Sequence, residues 1–202
     1  KLSNINCGRT IFGTGLYPNK VQWPAIKKNK EVDICAIFQT FHDECRDHGV
    51  RNDIPYIKHR KEVWDRLSKV KDKYNTISKK LPFQDYIEKL ANSKVCISPF
   101  GQGELCFRDF EAMLTGTILI RPDQSNVVTS PNIFVEGETY IGCKLDWSDL
   151  EEKIENTLDN FNELNDKFTS NIRNKFNKEY TLENFCMHYY NIFSNLQSIS
   201  KE

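Results

Sequence analysis

The sequence predicts an α/β domain: a Rossmann-like parallel sheet flanked by helices, with further helices at the C-terminus. Three observations carry this. Short apolar runs alternate with amphipathic stretches between residues 32 and 121, the strand–helix order of a parallel sheet with crossover helices. A glycine-rich turn, Ser98-Pro99-Phe100-Gly101-Gln102-Gly103-Glu104, joins one apolar run to a helix that carries Arg108, Asp109 and Glu111. The last third of the chain reads as successive helices with apolar stripes.

Residues 1–30 read as an irregular segment or linker. Gly8, Gly13, Gly15, Pro18 and Pro24 interrupt any period, and Lys27-Lys28-Asn29-Lys30 forms a polar bridge. The domain is expected over residues 31–202. Residues 32–38 make the first buried strand, and residues 39–54 a polar loop. Residues 55–70 form a helix with Tyr56, Arg60, Val63, Trp64 and Leu67 at helical spacing. A short strand is read near 74–78 and a brief helix over 83–90, with Tyr86, Ile87 and Leu90 facing in.

A strand at 94–98, the glycine turn, a helix at about 105–115 and a strand at 117–121 follow. Pro122 and Pro131 bracket a loop, with extended pieces near 132–134 and 139–142. Ser148-Asp149-Leu150-Glu151 reads as a capping box opening a helix, whose inner face holds Trp147, Leu150, Ile154 and Leu158. A helix with Phe161, Leu164, Phe168, Ile172 and Phe176 comes next. The last has Leu182, Phe185, Tyr189, Ile192, Phe193 and Leu196.

Composition narrows the function classes. The 202 residues hold 28 basic and 28 acidic side chains, against the basic excess usual in a nucleic-acid binder. No stretch reaches the length of a transmembrane helix. Seven cysteines, odd in number, widely spaced and without a CxxC, point to a reducing, cytoplasmic setting and no disulfide framework. Cys35 and Cys96 lie inside apolar runs, where a thiol acts as a small core residue.

The chemistry concentrates at the glycine turn. Gly101 and Gly103 let the backbone turn sharply and approach a ligand. The helix that follows offers unpaired N–H groups and a positive dipole end, suited to a phosphate or diphosphate. Arg108 can add a charge-assisted, bidentate contact to phosphate oxygens. Glu111 shares its helix face and can accept hydrogen bonds from vicinal hydroxyls, as on a ribose. Glu104, in the turn itself, is placed to touch a sugar hydroxyl or to stabilise a nearby cation. A plainer reading stays open: glycines serve any tight turn, and Arg108 with Glu111 makes an ordinary i,i+3 salt bridge.

Residues 81–147 resemble the C-terminal, donor-binding domain of glycosyltransferases with the GT-B fold, which would make this chain one half of that fold. The resemblance lies with family-1-like members carrying S-P-x-G-x-G-E-x-C-x-R-D-x-E-A. It rests on Ser98, Pro99, Gly101, Gly103, Glu104, Cys106, Arg108, Asp109, Glu111, Ala112 and Gly116. Glu111-Ala112-Met113-Leu114-Thr115-Gly116 also matches the E-A-M-x-x-G segment, whose Glu binds the ribose of a nucleotide sugar. Retaining members often carry a second Glu eight positions earlier, whereas Glu104 lies seven earlier. The Arg108-to-Glu111 spacing is similar to that of exostosin-like transferases.

The resemblance implies transfer of a sugar from a nucleotide-sugar donor to a glycan or other acceptor, with no resident cofactor and no metal. Glu104 and Arg108 become candidate catalytic residues. Gly101, Gln102, Gly103, Glu111, Arg60 and Asp123 become candidate donor-binding residues. Arg60 matches an Arg of related transferases that reaches the diphosphate; the alternative is a surface cation. Asp123, Gln124 and Ser125 follow the strand after the motif helix and so belong to the same sheet edge. The general base usually comes from an N-terminal, acceptor-binding domain. That function is therefore expected from an upstream domain or a partner chain, and any peripheral membrane association from a region outside this sequence.

His42, Asp43, Glu44, Cys45, Asp47 and His48 crowd one loop, but their spacing fits no zinc pattern, and a ligand-edge or solvated loop suits them better. Function also has rivals: a non-catalytic nucleotide-sugar-binding or scaffolding module of the same fold, or another nucleotide-using enzyme such as an epimerase.

Overall fold

The computed structural model describes residues 24–38, 55–101, 104–127, 129, 132–179, 181, 183–184, 186–187 and 190–191. Its strands are β1 (Val32–Cys35), β2 (Thr76–Ile77), β3 (Ser93–Ile97), β4 (Ile118–Pro122) and β5 (Ile141–Cys143). Its helices are α1 (Pro55–Leu67), α2 (Phe83–Ala91), α3 (Phe107–Leu114), α4 (Leu150–Asp159) and α5 (Phe161–Glu179). The strands form one sheet in the order β2-β1-β3-β4-β5, and every pairing is parallel. This is the Rossmann-like α/β architecture.

The central strands are buried on both faces, which explains their uninterrupted apolar runs. Alternate residues feed two cores. Cys35, Cys96 and Leu119 pack with Ile87 and Leu90 of α2, Phe110 and Met113 of α3, and Phe168, Ile172 and Phe176 of α5. Ile34, Val95, Ile97 and Ile120 pack on the other face, with Val63 and Leu67 of α1, Trp147, and Leu150 and Ile154 of α4. The helical spacing read in the sequence thus corresponds to these contacts. Cys35 and Cys96 sit opposite each other in register, fully buried.

The chain leaves β1 toward β2, then crosses back over β1 to β3. The order thus reverses between β1 and β3, and the crevice at the C-terminal ends of two such strands is where open α/β sheets bind ligands. The glycine turn follows β3 and lies at this crevice.

Two local expectations are corrected. The helix near residue 150 has no capping box: Asp149 is its N-cap and makes no side-chain cap hydrogen bond. Asp149 Oδ1 instead accepts from the Lys144 N–H at 2.9 Å, and the Ser148 N–H goes to Asp146 Oδ1. Trp147, fully buried and at φ +56°, fixes the helix entry, so burial prevails over the cap. The polar bridge at 27–30 is also only partly polar in effect. Lys30 is buried, and its ammonium donates to Ala91 O at 3.0 Å and Thr117 Oγ1 at 3.2 Å.

Gly116 closes α3. It adopts φ +65°, its N–H bonds Met113 O, and the Thr117 N–H bonds Ala112 O, a Schellman ending. A Cβ here would lie 2.5 Å from Ile26 Cγ2. Residues 1–23, most of the last predicted helix (Leu182, Phe185, Tyr189, Ile192, Phe193 and Leu196 included) and the loop at 40–48 lie outside the described residues. No described helix is long and apolar enough to cross a membrane.

Candidate functional site at the β1/β3 crevice

Arg108 enters the crevice from the first turn of α3. Its Nε donates to Ser98 Oγ at 3.2 Å, Nη1 to Ile37 O at 3.1 Å and Nη2 to Pro99 O at 3.2 Å. Its guanidinium lies 5.5 Å from the centre of the Phe38 ring. The residue expected at a phosphate therefore also clamps the ends of β1 and β3 across the switch in strand order. A guanidinium has five N–H groups. These three bonds leave Arg108 donors for a ligand oxygen.

Glu111 lies one turn deeper, 5% exposed, on the seam between α2 and α3. Its Oε2 accepts from the Tyr86 hydroxyl at 2.8 Å. Burial, then the nearby Glu111 carboxylate, push the Tyr86 phenol well above its ordinary range, which keeps it a donor. The sequence placed Tyr86 in the core; the structure adds this polar contact.

The turn is held from several sides. Arg60 Nε donates to Phe100 O at 2.8 Å, which places this candidate beside the turn rather than on open surface. His59 stacks on the Phe100 ring at 5.0 Å, and the Trp147 indole N–H points at the same imidazole, 3.2 and 3.3 Å from its nitrogens. Burial, then the Arg60 charge, lower the His59 pKa to about 4. Gly101 is half-buried, Glu104 is exposed, and Gln102 and Gly103 lie outside the described residues.

Beneath the turn lies a group to which the motif assigns no role. Arg121, at the end of β4, is 1% exposed. Its Nη2 donates to Glu104 O at 2.6 Å and to Gln124 Oε1. Its Nη1 lies 3.1 Å from Asp109 Oδ2 as an ion pair, and Asp109 is equally buried. Asp109 Oδ1 accepts from Ser98 Oγ at 2.5 Å and Oδ2 from the Cys106 N–H at 2.9 Å. An arginine ending an otherwise apolar strand was the available signal, since arginine is rarely buried unless paired.

Asp123 stands farther along the same edge. Burial tends to raise its pKa, but hydrogen bonds from the Ser125 N–H and Oγ and the Tyr140 hydroxyl outweigh it and hold the carboxyl below its usual range. It lines a cleft of about 570 Å³ with Ser125, Glu136, Lys144 and Lys153.

The chain matches no family model and no curated protein. Among solved structures it is similar to TarM, with a TM-score of 0.49 and 17% sequence identity over 87% of this chain and 38% of that one. The chain thus spans well under half the length of that protein. A likeness at this level decides nothing about chemistry, and the fold assignment stands on the strand order above.

Taken together, the crevice offers an arginine with three of its five donors committed, a buried carboxylate beside a phenol, an exposed acid in the turn, and the first turn of α3, where a capping box of Cys106 and Asp109 already takes up the N-cap and N3 amides. Cations and amides suit a diphosphate, and a carboxylate suits a diol.

Proposed function

We propose that this chain is the donor-binding half of a GT-B glycosyltransferase, holding a nucleotide sugar at the β1/β3 crevice. One observation carries the reading. The described residues of the S-P-x-G-x-G-E-x-C-x-R-D-x-E-A segment follow the C-terminal end of β3 in a parallel sheet, with Arg108 joining the β1 and β3 ends and Glu111 one turn deeper.

In this reading the α3 N-terminus, the turn amides and Arg108 meet the diphosphate, and Glu111 accepts from the ribose hydroxyls. The sugar lies toward Glu104 and the Asp123 cleft. As the glycosidic bond to the donor breaks, negative charge grows on the leaving diphosphate. Arg108 and the helix dipole stabilise that charge in place of a metal. The acceptor, a glycan or another hydroxyl compound, and the general base come from a domain or chain outside this sequence. Should no transfer occur with such a partner present, the fold serves as a nucleotide-sugar-binding module instead.

A thermal-shift panel of UDP-, GDP-, ADP- and CMP-linked sugars tests this. One of them should raise the midpoint in proportion to its occupancy. Arg108→Ala with Glu111→Ala should abolish the rise. No rise with any donor, or an unchanged rise in the double variant, sinks the reading.

A further inference from the structure

We infer that Arg121 is a positioning residue that sets where Glu104 stands, a role that rests on the donor-binding reading above. The guanidinium holds the turn at two separate points. It grips Glu104 directly through the backbone carbonyl at 2.6 Å, and Gln124 Nε2 reaches the same oxygen at 3.3 Å. It reaches the turn's two ends through Asp109, whose carboxylate bonds Ser98 Oγ before the glycines and the Cys106 N–H after them. The Glu104 side chain stays exposed while its backbone is held from below.

The base of this support is rigid. Arg121 belongs to β4, paired on both sides within the sheet, and its guanidinium lies 4.6 Å from the Phe134 ring centre and 5.8 Å from that of Tyr140. Burying a charge pair beneath a loop is costly and often adds little to stability compared with apolar packing. Here it ties down the Glu104 carbonyl and, through Asp109, Ser98 and Cys106. The planar head reaches both directions at once, with Nη2 hydrogen-bonded to Glu104 O and Gln124 Oε1 and Nη1 in an ion pair with Asp109. A lysine ammonium has no matching geometry. Arg121 therefore acts through Glu104 and the turn, without touching the ligand.

The test compares wild type with Arg121→Lys, Glu104→Gln and the double variant. Binding of UDP, GDP and ADP and of their sugar-linked forms is measured by calorimetry. Wild type should bind one sugar-linked form more tightly than the bare diphosphate. Arg121→Lys should lose that increment, roughly tenfold, while the bare diphosphate stays within about threefold. The double variant should be no weaker than Glu104→Gln alone, because the two residues act as one unit. Additive losses, or equal losses for diphosphate and sugar-linked form, overturn the inference.

Hydrogen exchange supplies a readout independent of any nucleotide. In Arg121→Lys, or in Arg121→Gln should the first variant not fold, peptides covering 99–106 should exchange faster while β3 and β4 keep their protection. Unchanged exchange across 99–106 overturns the role. If wild type binds none of the nucleotides, the glycosyltransferase reading falls, and the exchange result still decides whether Arg121 holds the turn.

Discussion

The Tyr86 hydroxyl donates to Glu111 Oε2 at 2.8 Å, across the buried seam between α2 and α3. The bond orients a carboxylate that the motif assigns to a ribose. Glu111→Gln keeps the shape and removes the charge. It should weaken nucleoside-diphosphate binding by roughly tenfold, and Tyr86→Phe should cost about 1–2 kcal/mol of stability by removing a buried hydrogen bond to that carboxylate. A 2′,3′-dideoxy nucleotide sharpens the test. It should bind wild type weakly and Glu111→Gln no worse than the parent nucleotide does. Equal affinity of wild type for both nucleotides would remove the ribose from Glu111.

Arg108 carries a structural and a ligand role at once, and the two are separable. Three of its bonds join the loops after β1 and β3. Arg108→Lys cannot reproduce that fan of donors, so urea unfolding should show a loss of about 2 kcal/mol or more. A nucleoside without phosphate should bind the folded variant as it binds wild type, and the diphosphate should bind it less tightly. If nucleoside and diphosphate lose affinity alike, Arg108 serves only the fold.

Gly116 belongs to the E-A-M-x-x-G match, yet its requirement is structural. The left-handed φ of +65° alone disfavours any side chain, and a Cβ would overlap Ile26. Gly116→Ala should cost about 1–3 kcal/mol in thermal or urea unfolding, from backbone strain and overpacking together. Adding Ile26→Ala should recover part of that loss. A double variant that is fully additive would show that Ile26 does not press on this position.

The sheet was legible because its strands are buried on both faces and read as apolar runs. The helices were legible because Val63 with Leu67, and Phe168 with Ile172 and Phe176, repeat at helical spacing. The site was legible only where chemistry and sequence are local, as in the glycine turn and the spacing of Arg108 and Glu111. The role of Arg121 escaped because its partners, the Glu104 backbone carbonyl and the Asp109 side-chain carboxylate, are brought to one guanidinium only by the fold. Lys30 escaped for the same reason, since its acceptors lie at residues 91 and 117. The capping box at residues 148–151 failed where a local motif met a buried Trp147 and lost.

Two buried bases give stability a pH dependence of defined sign. Burial, then the Lys27 charge, lower the Lys30 pKa from 10.5 to about 7. Between pH 7 and 10.5 the unfolded chain keeps this proton and the folded chain sheds it, so stability rises with pH across that window. His59 is lowered from 6.5 to about 4 by burial and then by Arg60. It stays neutral in the fold between those values while the unfolded imidazole charges. Its contribution is present above pH 6.5 and is lost as pH falls through 4. Urea unfolding at intervals from pH 4 to 10 should therefore rise over both windows. Lys30→Met should flatten the upper rise, and His59→Phe, which keeps a ring against Phe100, the lower one. Trp147 donates to His59, so the fluorescence of the folded protein should change as pH falls through about 4 in wild type and not in His59→Phe. An upper slope that survives Lys30→Met would assign that window to another group.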